Sequence, residues 1–66
     1  MTAKVNGRER ELPDGATVTT VLELLGAPAT GVAVALDGEV VPRAAWAATP
    51  VPAGAAVEVL TAVQGG

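Results

Sequence analysis

The sequence contains neither cysteine nor histidine among its 66 residues. It therefore cannot form a disulfide, use a thiolate or an imidazole in catalysis, or offer the usual ligand sets for zinc. Trp46 is the only aromatic residue and isoleucine is absent. Valine, leucine and that tryptophan must supply most of the core, because alanine buries little area. A chain of this length forms at most one domain, and its core is thin.

Basic residues are also few, since four lysines and arginines stand against seven acidic residues and give a formal net charge of -3. Without a basic cluster, nucleic-acid binding is disfavoured. No apolar run reaches membrane-spanning length, and the first residues do not have the pattern of a signal peptide. These absences lead us to expect a cytoplasmic protein that binds neither nucleic acid nor membranes.

The remaining polar residues do not form a recognisable catalytic group. Every side-chain hydroxyl belongs to a threonine, and no histidine is available to activate one. Glu9 and Glu11 would share one face of a strand, but they alternate with Arg8 and Arg10, which favours a solvated charged edge over acid–base chemistry. We expect no catalytic residue, no metal site and no bound cofactor.

Local patterns predict short elements separated by turns. Asn6-Gly7 favours a type I′ hairpin turn, since both of its positions need a positive φ. Thr17 is a plausible helix N-cap, and Gly26 suits the left-handed residue at the helix end. The predicted helical face comprises Val18, Val21, Leu22 and Leu25. The other predicted elements are strands over 3–5, 8–12, 32–36, 39–41 and 56–60 and a helical turn over 44–47.

This order predicts an α+β fold, in which one main helix crosses one face of a mixed four- to five-stranded sheet. Placing the first and last strands at the centre of the sheet gives the β-grasp arrangement. We expect a single domain over residues 1–66, with residues 62–66 as a flexible, extended C-terminal tail.

Two apolar features could be core or could be binding surface. A lone tryptophan such as Trp46 usually covers the core of a small domain, although it could serve as an exposed anchor for a partner. Ala33, Ala35 and Leu60 could form a flat apolar patch on the sheet face away from the helix. The alternative is that small side chains are simply tolerated there.

The sequence ends in Gly65-Gly66. A terminal carboxylate is ionised at neutral pH and resists nucleophilic attack, but conversion to an acyl-adenylate supplies a good leaving group. Glycine suits such an end, since it can thread a narrow active site and adopts backbone angles that other residues avoid. Alone, two terminal glycines are a weak signal, since the alternative is a frayed terminus in which they have no function.

The whole chain resembles the ThiS family of thiamine-biosynthesis sulfur carriers, which are small ubiquitin-like β-grasp proteins. The motifs that carry the resemblance are V-N-G-R, E-L-P-D-G-A-T-V, V-A-V-A-L-D-G-E-V-V-P-R-x-x-W and the terminal A-V-Q-G-G. They occur in the family's order and cover essentially all of the sequence. The most specific are Val41-Pro42-Arg43 with Trp46, taken together with Gly65-Gly66.

The resemblance implies a carrier that is a cosubstrate of other enzymes. A ThiF-like or MoeB-like enzyme would use ATP to adenylate the Gly66 carboxylate, and a cysteine desulfurase or another donor would supply sulfur. Thiazole synthase (ThiG) would then take sulfur from the Gly66 thiocarboxylate. Val63, Gln64 and Gly65 would enter partner active sites as part of the tail. Leu60, with Ala33 and Ala35, would form the partner-binding surface.

Other functions remain open at this point. The same terminal chemistry could serve molybdopterin or cysteine synthesis. A ubiquitin-like modifier would transfer its activated Gly66 to a lysine. A binding module would use the β-grasp domain alone, with an inert tail.

Overall fold

Five strands, one α-helix and one 3₁₀-helix form the part of the chain that the computed structural model describes, residues 1–27 and 30–61. Their order is β1 (Thr2–Val5), β2 (Arg8–Glu11), α1 (Val18–Leu25), β3 (Val32–Leu36), β4 (Glu39–Val41), the 3₁₀-helix (Arg43–Ala48) and β5 (Ala56–Thr61). The expected tail, residues 62–66, lies outside the described residues.

The strands form one mixed sheet in the order β2-β1-β5-β3-β4. The first and last strands, β1 and β5, are adjacent and parallel, and the other neighbouring strands are antiparallel. The expected α+β, β-grasp fold is confirmed. The charged strand β2 lies at one edge, as its alternating arginines and glutamates predicted.

Two-residue turns connect both hairpins and set their registers. Asn6 and Gly7 have φ values of 52° and 81°, and Asp37 and Gly38 have values of 49° and 86°. Positive φ at both positions is the type I′ geometry, whose twist matches that of the flanking strands. The turns therefore fix Val5 opposite Arg8 and Leu36 opposite Glu39.

The helix begins and ends at the residues that the sequence predicted. The Thr17 hydroxyl accepts a hydrogen bond from the Thr20 backbone N–H at 3.4 Å, and the Thr20 hydroxyl accepts one from the Thr17 N–H at 3.1 Å. This reciprocal capping box satisfies backbone donors that the first helical turn leaves free. At the other end, Gly26 adopts the left-handed conformation with φ 69°.

The core lies between one face of the sheet and the two helical segments. Its most deeply buried large side chains are Val5, Val18, Val21, Val34 and Val57. Leu25, predicted to share the helical face, is only partly buried and packs against the edge of this cluster. Valine thus supplies most of the core volume, because isoleucine is absent and Trp46 is the only aromatic residue.

Four elements differ slightly from the predicted bounds. Strand β1 begins at Thr2, one residue before the predicted start, and β5 ends at Thr61, one residue beyond the predicted end. The predicted helical turn over 44–47 is a 3₁₀-helix that extends over Arg43–Ala48, following Pro42 in an extended conformation. Strand β2 ends at Glu11, one residue before the predicted end, and Leu12 turns into the core. Among the described residues, no helix is long and apolar enough to cross a membrane.

Candidate functional site at the end of the last strand

The last strand has one face in the core and one face open. Val57 and Val59 are buried against the helix side, whereas Leu60 lies on the opposite face and is 67% exposed. This alternation follows from the two-residue period of a strand. Since β5 ends at Thr61, Leu60 lies at the end of the strand from which residues 62–66 continue.

The sequence-predicted patch residues share this open face. Leu60 pairs directly with Ala33 across the antiparallel strands β5 and β3. Ala35 lies two residues further along β3, opposite Glu58 on one side and Val40 on the other. The structure therefore brings Ala33, Ala35 and Leu60 onto the sheet face away from α1.

Val40 is a fourth member that sequence reasoning missed. Its side chain is 76% exposed, and it pairs with Ala35 from the edge strand β4. The register of the hairpin would have predicted this, because a two-residue turn at Asp37-Gly38 pairs Leu36 with Glu39 and therefore Ala35 with Val40. We call Ala33, Ala35, Val40 and Leu60 the outer patch.

A shallow depression lies beside the outer patch. Gly31, Val32, Ala33, Leu60 and Thr61 line it. The depression reaches the last described residue, Thr61, so an apolar surface is continuous with the point where the tail begins. The small side chain of Ala33 leaves the Leu60 side chain largely uncovered.

Most of the other side chains on the open face are charged. Lys4 lies opposite Glu9, and Thr2 lies opposite Glu11, on the two strands β1 and β2. All four residues are exposed. Glu58 on β5 separates this charged half from the outer patch. The open face is therefore apolar beside the chain end and polar at the opposite edge.

Trp46 belongs to the core and is not an exposed anchor. Only 8% of its surface is exposed, and its indole N–H donates to the Val41 carbonyl at 2.9 Å. A buried tryptophan needs such a partner for its polar atom. The bond ties the 3₁₀-helix to the end of β4 and closes the core at that side.

The predicted tail residues Val63, Gln64, Gly65 and Gly66 lie outside the described residues. Within residues 1–27 and 30–61, no group of three or more acidic side chains is placed to hold a metal ion. The same part of the chain has no buried side-chain polar atom without a hydrogen-bond partner. The distinctive feature of the described structure is thus a surface beside the C-terminal strand end.

The fold and this surface define a β-grasp protein whose open sheet face carries an apolar patch at the end of its last strand. The family model of the ThiS family matches residues 3–66, and the chain belongs to this family. A comparison with curated proteins found no match.

Two solved structures from Geobacter metallireducens are similar over the full chain. One is a crystal structure of the thiamine biosynthesis protein ThiS, with 44% identity, a TM-score of 0.80 and complete coverage of both chains. The other is a solution NMR structure of a thiamine biosynthesis protein, with 40% identity and a TM-score of 0.79. It covers 100% of this chain and 88% of that one.

Proposed function

We propose that this protein is a sulfur carrier in thiamine biosynthesis, acting as a cosubstrate in thiazole formation. The observation that carries this proposal is the ThiS family match over residues 3–66, which includes Gly65 and Gly66. The solved structures named for thiamine biosynthesis support this pathway over the molybdopterin and cysteine routes. The protein supplies the reacting terminus, and its partners supply the catalytic groups.

The chemistry takes place at the Gly66 carboxylate. In the first step a carboxylate oxygen attacks the α-phosphate of ATP on a ThiF-like or MoeB-like enzyme, and pyrophosphate leaves. In the second step a sulfide ion attacks the acyl carbon, AMP leaves, and one oxygen of the carboxylate has been replaced by sulfur. A cysteine desulfurase or another donor supplies that sulfur, and where it arrives as a persulfide a second thiol releases it as sulfide and ends in a disulfide. Thiazole synthase (ThiG) then receives the sulfur from the thiocarboxylate. ATP is bound by the adenylating enzyme, and this protein needs no cofactor of its own.

The composition of the terminal segment suits this role. Val63 and Gln64 lead to the two glycines, which lack side chains that would obstruct a narrow active site. An extended chain of five residues reaches roughly 17 Å, which sets the greatest distance beyond the domain at which Gly66 can react. The domain would therefore dock on the surface of the partner enzyme while Gly66 reacts in the enzyme's active site.

The outer patch is the proposed docking surface for these partners. Leu60 and Val40 are large apolar side chains exposed on the same face, separated by the small Ala33 and Ala35. Exposed apolar clusters of this kind mark interaction sites. Leu60 also precedes Thr61, the last residue of β5, so docking here would hold the start of the tail at the entrance of the partner's site.

Intact-mass measurement tests the reaction directly. The protein is incubated with ATP, sulfide and a ThiF-like or MoeB-like enzyme of demonstrated activity on its own carrier. We expect the mass gain of one sulfur replacing one oxygen, localised to Gly66 by fragmentation. The matched control is the chain lacking Gly66, which should fold normally and gain no sulfur.

Two outcomes would overturn the proposal. If the shortened chain gained sulfur as readily as the full one, the reaction would not take place at Gly66. If the full chain remained unchanged beside an active enzyme, the carrier function would fail and a binding module would become the leading alternative.

A further inference from the structure

The first residue of each hairpin turn has a second role at the backbone of β5. The Asn6 side-chain oxygen accepts a hydrogen bond from the Val59 N–H at 2.8 Å. The Asp37 carboxylate accepts one from the Ala56 N–H at 2.9 Å. Asn6 therefore contacts β5 close to its C-terminal end, and Asp37 contacts it at the start.

The hydrogen bond between the Asn6 side chain and the Val59 N–H lies beyond the point where β1 pairs with β5. These parallel strands pair only at Lys4 with Ala56 and at Val5 with Val57. The Asn6 N–H still donates to the Val57 carbonyl at 2.8 Å, and the chain then leaves through the turn. Strand β5 continues to Thr61, and its next donor on this side, the Val59 N–H, is met by the Asn6 side chain.

The end of β5 is consequently held on two sides by different means. On one side, β3 pairs with it as far as Thr61, opposite Val32. On the other side, the described contact beyond Val57 is the side chain of Asn6, 53 positions away in the sequence. The bond is partly buried, so losing its acceptor would leave the Val59 N–H poorly compensated.

We propose that Asn6 is a positioning residue for the carrier reaction, because it fixes the direction in which β5 delivers the tail. This inference rests on the proposed function. Asn6 itself need not contact the adenylating enzyme. It acts through the Val59 backbone and keeps the end of β5 aligned with β3 as far as Thr61, the residue after which the tail begins.

Three variants separate this role from turn formation. Asn6→Gly removes the acceptor and keeps a residue suited to the turn, since glycine accepts a positive φ freely. Asn6→Asp retains an oxygen acceptor and tolerates the same backbone conformation. Asp37→Gly is the matched control, because it removes the equivalent bond at the opposite end of the same strand.

Amide hydrogen exchange tests the contact without any activity. In Asn6→Gly we expect exchange at Val59 to accelerate about tenfold, as expected for the loss of one hydrogen bond of ordinary strength, while exchange at core Val34 changes less. Asn6→Asp should restore slow exchange at Val59, and Asp37→Gly should leave it unchanged. Unaltered exchange at Val59 in Asn6→Gly, or an equal acceleration at Val34, would overturn the proposal.

Steady-state kinetics with the adenylating enzyme test the positioning role. Asn6→Gly should raise the KM for the carrier about threefold to tenfold with kcat unchanged, since a smaller fraction of free molecules presents the tail correctly. Asp37→Gly should leave KM unaltered, and Asn6→Asp should restore it. An equal KM rise in Asp37→Gly, or a rise in Asn6→Asp despite slow Val59 exchange, would overturn the proposal.

If the wild type is not adenylated at all, the proposed function fails and Asn6 is reduced to a structural contact, which the exchange data will still show.

Discussion

The two faces of the sheet are formed by the same strands but differ in exposure, since one is buried in the core and the other is open. On the core face, Val34 and Val57 are each 1% exposed beneath α1 and the 3₁₀-helix. On the outer face, Leu60 and Val40 are 67% and 76% exposed. A thin core in a chain of 66 residues requires every large core side chain for stability. Large apolar side chains left uncovered on the other face are available for binding.

Because one face of the sheet is buried and the other is exposed, we expect substitutions on the two faces to have different effects. Changes on the core face should lower the free energy of unfolding whether or not a partner is present. Changes in the outer patch should lower affinity for a partner and leave folding nearly unaltered. In folded protein, each variant below is expected to change one of these two quantities and not the other.

The largest expected effect is on the core side, at Trp46. Trp46→Ala should lower the free energy of unfolding by about 3–5 kcal/mol, the usual range for deleting a buried large aromatic side chain. Small domains have a total stability of only about 5–15 kcal/mol, so this variant should be close to unfolding. Urea denaturation followed by circular dichroism measures the loss.

Trp46→Phe is the matched control for this prediction. It keeps an aromatic ring in the core but removes the indole N–H that donates to the Val41 carbonyl. The expected loss is smaller than for alanine, because most of the buried area remains. A Trp46→Ala variant as stable as the wild type would show that the 3₁₀-helix does not close the core.

The next largest effect is on the outer face, at Leu60. Leu60→Asp should weaken binding to the adenylating enzyme at least about tenfold, equivalent to about 1.4 kcal/mol, because a carboxylate would have to be desolvated in an apolar contact. Calorimetric titration measures the affinity. The melting temperature should change little, since most of the Leu60 surface is already exposed.

Leu24→Asp provides the matched control for the Leu60 variant. Leu24 is also an exposed leucine, at 52%, but it lies on α1, on the opposite side of the sheet. This variant introduces the same charge and should leave affinity for the enzyme unchanged. Equal weakening by both variants would attribute the effect to net charge and not to the outer patch. Unchanged affinity in Leu60→Asp would remove the patch from the docking surface.

Local chemistry made the turns, the helix ends and the strand faces predictable from the sequence. Asn6-Gly7 and Gly26 adopt the predicted backbone conformations, because few other residues accept a positive φ there. Alternation along β3 and β5 placed Ala33 and Leu60 on one face. The central parallel pairing of β1 with β5 joins distant segments, and the resemblance to a known family was needed to favour it over other sheet orders.

Contacts between distant segments explain what the sequence did not reveal. Asn6 was predicted as a turn residue, but its hydrogen bond to Val59 depends on how far β5 extends beyond β1. Val40 was absent from the predicted patch because its short strand was interpreted without its register to β3. The roles of Leu60, Ala33, Ala35 and the tail residues remain predictions.

The smallest expected effect is at the N-terminus of α1, the helix that covers the core face. Thr17→Ala should lower the free energy of unfolding by about 1 kcal/mol, because the Thr20 backbone N–H loses its acceptor. Thr19→Ala is the control, since Thr19 takes no part in the capping contacts described here and alanine has the higher helix propensity. Denaturation midpoints of the two variants measure the difference.

Both variants should bind the adenylating enzyme as the wild type does, because the cap stabilises the core face and lies on the side of the sheet away from the outer patch. Weaker binding by Thr17→Ala than by Thr19→Ala in fully folded protein would show that the two faces are not independent.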